Sequence, residues 1–438
     1  MDRKSSCLSL AALCLLAPFS FAQEDPLKLD PVNPQAESRQ SGSGDDYLST
    51  FQDPSTMPGF LGQSRAGFTT RFDNTFNPAI GVVLDALGEF SSASQNAGRF
   101  NKVRMRTLEL DIASRIDPLG WAYAVAAFVD TGTETEVELE EAAAWLDQLP
   151  NNFSVRAGRY LADFGKWNTL HTHDKAFVNE DVVRREVFGG PLFTTGAELH
   201  HWFGVGDVPV RWSIGLASDA EGDDHDAFGD GHGHAHGSEF LRGRRGIDNW
   251  AATARLSAQY DVGDNGYFQW GLSGFYTPGA IQFEEEIAPS GRELEIRRET
   301  RKSVVAADLT FRSVNSVGGT AHTASMEYWH DQSQFGEPLV SDGHHGLWGF
   351  YEYAFSPYWG AGVVASWANH GDSVGQDFLA GGDSLAQRGV FLSWWLSEFN
   401  RLRLQVQQVN PGFGEDKYWT VALQWSVILG VHAHSLDW

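Results

Sequence analysis

Residues 221–240, EGDDHDAFGDGHGHAHGSEF, concentrate side chains that bind metal ions. Imidazole and carboxylate groups are ligands of first-row metals, and the intervening glycines let the backbone bring several ligands together. The alternation cannot fix a rigid tetrahedral site alone, so we predict a loose site for Zn²⁺ or another divalent ion. The alternative is a solvated loop with incidental histidines. The predicted ligands are His225, His232, His234, His236, Asp224 and Asp226.

A second set of charged residues surrounds a strand that ends in a long polar segment. Residues 153–158 alternate between apolar and polar types, and residues 161–193 are charged and aromatic. Opposite charges facing one another across a water-filled constriction set a transverse field that filters solutes. The alternative is structural ion pairing that fastens the segment to a wall. The predicted pore constriction consists of Arg156, Arg159, Asp163, Lys166, Glu136, Glu138 and Glu140.

Motifs of common enzymes are missing from the sequence. It contains no G-x-S-x-G, no H-E-x-x-H and no Walker A motif, and no G-x-G-x-x-G at a strand-to-helix turn. These motifs supply a nucleophile, a zinc site or a phosphate cradle. We therefore predict that the protein is not an enzyme and requires no cofactor, with Zn²⁺ or another divalent metal at the His-rich loop as an option.

The start of the chain has the features of an exported protein. A positively charged beginning precedes the apolar run 8–19, and Ser20-Phe21-Ala22 fits a cleavage site, which predicts a signal peptide over residues 1–22. Both cysteines, Cys7 and Cys14, lie within it. The predicted mature protein therefore has neither disulfides nor thiolate metal sites.

Composition narrows the class of protein further. The formal net charge of −25 argues against a nucleic-acid partner, because binding phosphates requires clustered lysine and arginine. An acidic surface suits contact with cations, or it only keeps long loops soluble. Aromatic residues and glycines are abundant, yet the mean hydropathy is only −0.31. After the signal peptide no run of 18 apolar residues occurs, which excludes membrane-spanning helices.

From residue 77 the chain alternates apolar and polar residues in segments of about ten, the pattern of membrane β-barrels. Residues 23–67 are rich in Pro, Gln, Ser, Gly and Asp, and the stretch 31–46 has almost no large apolar residues, so residues 23–76 are predicted to form a disordered extension. We predict an all-β fold over 77–438, a transmembrane antiparallel β-barrel of about 16 strands. The predicted strands are 79–90, 102–116, 119–131, 136–149, 152–160, 194–203, 209–218, 249–261, 266–277, 303–314, 320–331, 345–356, 359–369, 387–397, 400–410 and 417–430.

The predicted connections differ in length on the two sides of the barrel. Tight turns such as Asp117–Gly120 and Ser397–Asn400 alternate with long polar segments, which are expected to lie together on one side. The predicted long loops are 161–193, 219–248, 279–302, 332–344 and 370–386. Aromatic residues near strand ends are expected to form girdles at the membrane interfaces, among them Trp145, Trp202, Trp329, Trp348, Trp359, Trp394 and Trp419.

Three segments resemble Gram-negative outer-membrane porins, most of all the group around the phosphate-selective porins O and P. They are NPAIGVVLDALGEFSS at 77–92, EEAAAWL at 140–146 and RAGRYLADFGKWN at 156–168. The resemblance implies that the segment 161–193 folds into the lumen and narrows the pore. Those porins have a lysine-rich lumen, whereas this acidic chain has seven lysines, so the sequence does not support phosphate selectivity.

The same resemblance implies a location and partners. It places the chain in the cell outer membrane, in contact with lipid and lipopolysaccharide, with small solutes or metal ions passing through. The terminal Trp438 resembles the aromatic residue by which the barrel-assembly machinery recognises such proteins. Many sixteen-stranded porins form trimers, which leaves a homotrimer open.

The predicted function is passive diffusion of small hydrophilic solutes or ions through an outer-membrane porin. One alternative is a channel or receptor for zinc or another transition metal that the His-rich loop collects. Another is a structural or adhesive barrel whose lumen is blocked by residues 161–193.

Overall fold

A computed structural model describes most of the predicted barrel. The described residues are 78–93, 101–117, 119–130, 135–147, 149–222, 250–263, 265–287, 293–315, 319–335, 340–369, 384–397, 399–411 and 416–430. The predicted signal peptide and N-terminal extension lie outside these residues, as does Trp438. No helix among the described residues is both long and apolar enough to cross a membrane.

Sixteen antiparallel strands form a closed barrel, as predicted. Each strand pairs with its neighbours in sequence, and β1 pairs with β16 so that Gly81 lies opposite Gly430. The strands are β1 (Ala79–Ser91), β2 (Lys102–Asp117), β3 (Gly120–Asp130), β4 (Thr135–Leu146), β5 (Phe153–Leu161), β6 (Leu192–Val205), β7 (Val208–Gly222), β8 (Ala251–Asp261), β9 (Gly266–Ile287), β10 (Glu293–Asn315), β11 (Thr320–Phe335), β12 (Val340–Ser356), β13 (Trp359–Asn369), β14 (Ser384–Ser397), β15 (Asn400–Asn410) and β16 (Tyr418–Gly430). Closure gives every described strand a partner on both sides over at least part of its length.

The barrel has its apolar side chains outside and its polar side chains inside. On β16, Trp419 and Leu423 are 52% and 49% exposed, whereas the intervening Thr420 and Gln424 are buried. On β4, Val137 and Leu139 also face outward. This inversion of a soluble core is what a lipid-facing barrel requires. The buried inner face carries Asp85, Glu109, Arg156, Glu198, Arg211, Arg255, Asp308, Glu327, Glu352 and Arg403.

Connections on one side of the barrel are short, as expected. The longest connections leave the other side, after β1, β5, β7 and β13. Two of the predicted long loops, 279–302 and 332–344, are wrong. β9 continues to Ile287 and β10 begins at Glu293, and only residues 336–339 lie between β11 and β12. The sequence did not predict these strand extensions, because residues such as 284–286 are all charged and do not alternate with apolar residues. A strand that lies outside the lipid needs no apolar face, so it lacks the alternation by which strands were predicted.

Several tryptophans assigned to interfacial girdles lie inside the barrel instead. The exposed fraction is 0% for Trp329 and 1% for Trp348. By contrast, Trp359 and Trp394 stack at 5.3 Å between ring centroids beside two short turns. The inward tryptophans contact the segment that follows β5.

Candidate functional site

The segment between β5 and β6, residues 162–191, lies inside the barrel, and we call it the inward segment. Its two ends meet at a neck, where the Ala162 N–H donates to the Leu192 carbonyl at 2.9 Å. The Asn168 amide donates to both the Ala162 and Leu192 carbonyls, at 2.9 and 3.0 Å, and its oxygen accepts from the Leu192 N–H at 2.8 Å. The Asn168 side chain therefore supplies hydrogen-bond partners for backbone groups of the neck that are buried away from water.

A short helix, α1 (Val182–Phe188), gives the inward segment a fixed shape. Asp181 caps its start by accepting from the Arg184 N–H at 2.9 Å. Gly189 ends the helix with a φ of 85°, a left-handed conformation that favours glycine, and its N–H donates to the Arg185 carbonyl. These caps fix the direction in which the apolar residues of α1 point.

The apolar side of the inward segment packs against β9 to β12 like the core of a soluble protein. The Phe188 ring lies 5.5 Å from Trp329 and 5.2 Å from Phe275 between centroids, and Phe164 lies 5.4 Å from Phe188. All three contacts are edge-on or steeply inclined, as aromatic pairs prefer. Further members of this cluster are Trp167, Phe177, Val183, Val304, Trp348 and Phe350.

A buried carboxylate on β11 organises the polar groups within this apolar side. Glu327 accepts from the backbone N–H groups of Lys166 and Trp167, at 2.7 and 3.0 Å. It also accepts from the indole N–H groups of Trp329 and Trp348, at 3.0 and 3.1 Å. Four donors on one carboxylate fix both the start of the segment and the wall tryptophans that contact it.

Arg184 supplies the buried positive charge near that carboxylate. Its guanidinium lies 2.6 Å from Glu180 and 3.5 Å from Glu327. Glu180 also binds the ammonium group of Lys175. Burial alone would raise the pKa of Glu180, but Lys175 and Arg184 outweigh it and lower the pKa to about 2. The segment therefore carries its own compensated charge cluster into the lumen.

The charged side of the inward segment faces β2, β4, β6 to β8 and β15. Asp163 accepts from Arg211 at 2.7 Å and from Ser213 at 2.6 Å, and lies 3.6 Å from Arg255. Burial opposes the charged carboxylate, yet Arg211 and Arg255 hold the pKa of Asp163 well below its usual range. Arg255 continues the network with a two-pronged bond to Asp308, at 2.5 and 3.0 Å.

Glu198 on β6 joins the strand before the segment to the segment itself. It accepts from Arg156 at 2.8 Å and from the Asp163 N–H at 3.2 Å, and lies 2.7 Å from His200. Arg156 also donates to the Leu161 carbonyl at 2.9 Å. The turn into the lumen is thus held by charge-assisted bonds.

Arginines on the opposite wall bind backbone carbonyls of the inward segment. Arg106 donates to the Val178 carbonyl at 2.7 Å and pairs with Asp85. Arg403 donates to the Lys175 carbonyl at 2.6 Å. The segment therefore contacts the wall on both sides of the lumen, and almost all of its residues are buried.

One corner of the charged side gathers two histidines and three carboxylates. His171 Nδ1 lies 3.0 Å from Glu140 and 3.8 Å from Glu109, while its Nε2 lies 3.0 Å from Glu141. His173 Nδ1 lies 3.1 Å from the second oxygen of Glu109. A single carboxylate on β2 thus faces both imidazoles of the segment.

The carboxylates of this corner decide the charge of its histidines. Burial by itself lowers the pKa of both rings. Glu109 and Glu140 outweigh it at His171 and raise the pKa well above its usual range. Glu109 and Asp174 likewise raise the pKa of His173 to about 9. The neighbouring carboxylates therefore favour the protonated form of both imidazoles.

The structure distributes the predicted constriction residues over different parts of the lumen. Arg156 pairs with Glu198 rather than with the predicted carboxylates of β4. Asp163 lies in the same network, through the bond from its N–H to Glu198. Lys166 sits on the apolar side, where its N–H donates to Glu327. Their role in a constriction stays a prediction.

The remaining predicted constriction residues belong to β4 and the end of β5. Glu138 and Glu140 share the inner face, and Glu140 contacts His171. Arg159 is partly exposed and donates to the Glu140 carbonyl at 3.0 Å. The Glu136 side chain lies outside the described residues. Their part in a constriction therefore stays a prediction as well.

The predicted metal ligands of the His-rich loop, His225, His232, His234, His236, Asp224 and Asp226, all lie outside the described residues. Metal binding there stays a prediction.

Sequence reasoning missed the wall residues that hold the inward segment. Each of them, Glu109, Glu198, Asp308 and Glu327, lies within a strand between two uncharged neighbours. The signal in the sequence was their position in the alternation, because each lies at an inward-facing position. A buried polar residue at such a position needs a partner. Their partners lie far away in sequence, so the alternation could not identify them.

Comparisons with known proteins agree with this architecture. No family model matches the sequence. An uncharacterised protein from Aquifex aeolicus (strain VF5) is 25% identical over 353 residues, which cover 76% of this chain and 71% of that protein. The structure is similar to OmpT, an outer membrane protein of Vibrio cholerae, with a TM-score of 0.52 and 6% identity over 80% of this chain and 96% of that chain.

The trimer form of the same OmpT gives a TM-score of 0.51 at 7% identity, over 81% of this chain and 99% of that chain. The fold is that of an outer-membrane β-barrel. Identities this low concern the fold alone, so the resemblance to phosphate-selective porins stays a prediction.

Proposed function

We propose that the protein is an outer-membrane porin that lets small hydrophilic solutes or ions diffuse passively through a lumen narrowed by the inward segment. The observation that carries the proposal is the closed barrel with an apolar outer face and a charged inner face. A charged interior serves passage of hydrophilic solutes, because it replaces part of their hydration.

The charges inside the lumen support a filter rather than a wide pore. Arg211 and Arg255 lie on one part of the wall with Asp163 between them, and Glu109, Glu140 and Glu141 lie on another. Solutes that pass between the inward segment and the wall meet both signs of charge. Net selectivity then depends on which charges are neutralised by partners.

Purified protein in planar lipid bilayers tests the proposal. We expect stepwise ohmic conductance in KCl and a measurable reversal potential in a KCl gradient. Lys302→Gln removes a lumenal charge that pairs with Asp331 at 2.8 Å, and should shift the reversal potential toward cations. The matched control Lys417→Gln changes an exposed residue outside the strands and should leave it nearly unchanged.

A second candidate function is a structural or adhesive barrel with a blocked lumen. The near-complete burial of the inward segment favours it, because a segment bordering open water would expose one face. A bilayer that stays silent for the wild type, while the protein is shown to be folded, would support this candidate and overturn the porin proposal.

Location and partners are proposals on the same basis. We propose that the protein is inserted in a Gram-negative outer membrane, where it contacts lipid and lipopolysaccharide. We also propose that the barrel-assembly machinery recognises Trp438 and that the protein forms a homotrimer. A further proposal is that the His-rich loop collects zinc for uptake. Deletion of residues 223–237 should lower the zinc binding that calorimetry measures. We also propose that the protein is not an enzyme.

A further inference from the structure

The corner of the lumen around His171 combines the features of a metal site. Two atoms that each bind zinc at about 2.0–2.2 Å lie at most about 4.4 Å apart. His171 Nδ1 lies 3.0 Å from Glu140 and 3.8 Å from Glu109, so both carboxylates are within the range of a shared ion. One ligand atom from each of the three residues lies within 4.8 Å of the others, so that a shift of a few tenths of an ångström brings all three around one ion, and all three residues are buried.

A second observation concerns the other nitrogen of the same ring. Ligand histidines almost always pass their second N–H to a carboxylate, which fixes the ring and strengthens the ligand. The Nε2 of His171 lies 3.0 Å from Glu141, whose carboxylate also accepts from Tyr123 at 2.9 Å and from the Leu161 N–H at 3.2 Å. Glu141 is therefore held in place by groups that a metal would not displace.

The corner also has space for an ion. A cavity of about 40 Å³ is lined by Glu109, Glu140 and His171, more than the volume that one water molecule needs. Arg106 lines it too, but its guanidinium pairs with Asp85. The carboxylates of Glu109, Glu140 and Glu141 thus lie around the two imidazoles of this corner.

We propose that Glu109, Glu140 and His171 bind a divalent first-row metal ion such as Zn²⁺ inside the barrel, with Glu141 as the positioning residue of His171. Mixed imidazole and carboxylate ligands suit such ions, and three protein ligands leave a position for water. The ion would fasten the inward segment to β2 and β4. This site is separate from the predicted His-rich loop and does not depend on whether the barrel conducts.

Zinc binding to the full-length protein tests the proposal. The His-rich loop is first silenced by changing His225, His232, His234 and His236 to Asn in the full chain. Isothermal calorimetry with Zn²⁺ alone should then give one site per chain. Glu140→Gln and His171→Gln should each weaken binding at least about tenfold, and Glu141→Gln should weaken it about 10–100-fold.

Glu352→Gln serves as the matched control, because it changes another buried lumenal carboxylate, on β12. It should leave zinc affinity unchanged. X-ray absorption of the zinc-loaded, loop-silenced protein needs no lumenal variant and should show one imidazole among oxygen ligands. Absence of a zinc site, a spectrum without imidazole, or binding that survives both His171→Gln and Glu140→Gln would overturn the proposal.

Discussion

The two sides of the inward segment are built by different means. Its apolar side, around Phe188 and Trp329, is packed like a soluble core, whereas its charged side, around Asp163 and His171, consists of ion pairs and arginine–carbonyl bonds. Packing of aromatic rings supplies stability without favouring either sign of solute. Buried ion pairs stabilise less, because desolvation opposes them, but they set the field in the lumen. The difference teaches that the apolar side serves mainly to hold the segment, whereas the charged side holds it and, under the proposed porin function, also sets the field that solutes meet.

The largest effect is expected from breaking the apolar side with Phe188→Ala. Loss of a buried phenylalanine side chain costs about 3–5 kcal/mol, through lost burial and the cavity left among Phe164, Phe275 and Trp329. Hydrogen–deuterium exchange should show faster exchange across residues 162–191 with the strands still protected. Leu272→Ala, on the exposed outer face of β9, is the control. Unchanged exchange in Phe188→Ala would mean that the aromatic cluster does not hold the segment.

A smaller loss is expected on the charged side from Asp163→Asn. The change leaves Arg211 and Arg255 without their shared carboxylate, at a cost of about 1–3 kcal/mol or more for a buried charge. The same exchange experiment should show faster opening near the start of the segment. Asp147→Asn weakens a partly exposed pair with Arg115 and should change stability by about 1 kcal/mol or less. An effect of Asp163→Asn no larger than that of Asp147→Asn would contradict the assigned network.

The charge cluster within the segment predicts a pH dependence. Because the pKa of Glu180 is lowered to about 2, below the usual value of about 4.3, its charge stabilises the folded segment above pH 4.3 and this contribution is lost as the pH falls toward 2. Exchange protection, corrected for intrinsic rates, should be greater in the wild type than in Glu180→Gln at pH 6. The gap should close by about pH 2. A gap that is independent of pH would sink this assignment.

The smallest effect should come from removing a neutral hydroxyl group on the apolar side. Trp167 donates its indole N–H to the Ser325 hydroxyl at 2.7 Å. Ser325→Ala removes this acceptor, together with the hydroxyl's contacts to Thr310 at 2.8 Å and to the Leu309 carbonyl at 3.3 Å, and should cost about 1–2 kcal/mol. The resulting loss of exchange protection should be confined to the first part of the inward segment. An effect as large as that of Phe188→Ala would show that polar bonds dominate this side after all.

Alternation predicted the barrel well, because lipid and lumen impose opposite polarity on neighbouring positions of every strand. On β16, Thr420 and Gln424 lie inside the barrel and Trp419 and Leu423 outside, as this rule requires. The rule failed where its cause is missing, in the charged end of the β9–β10 hairpin. It also misplaced Trp329 and Trp348, since an inward tryptophan is only explained by the segment that covers it.

The candidate site was predicted only in part. The polar content of residues 161–193 and the family resemblance indicated a segment inside the lumen. The partner of Arg156 could not be inferred, because Glu198 and the β4 carboxylates are equally plausible in sequence. Pairing across a lumen depends on where a folded segment turns, which Asn168 and Asp181 fix through contacts that no periodicity records.

The central claim, that a segment packed inside the barrel limits passage, is tested most directly by single-channel conductance of the wild type, Phe188→Ala and the control Leu272→Ala under identical salt. We predict a small, steady conductance for the wild type and Leu272→Ala. Phe188→Ala should give a conductance several times larger, or frequent steps to a larger level. Equal conductance of all three proteins, with loosening of the segment confirmed by hydrogen exchange, would contradict the account.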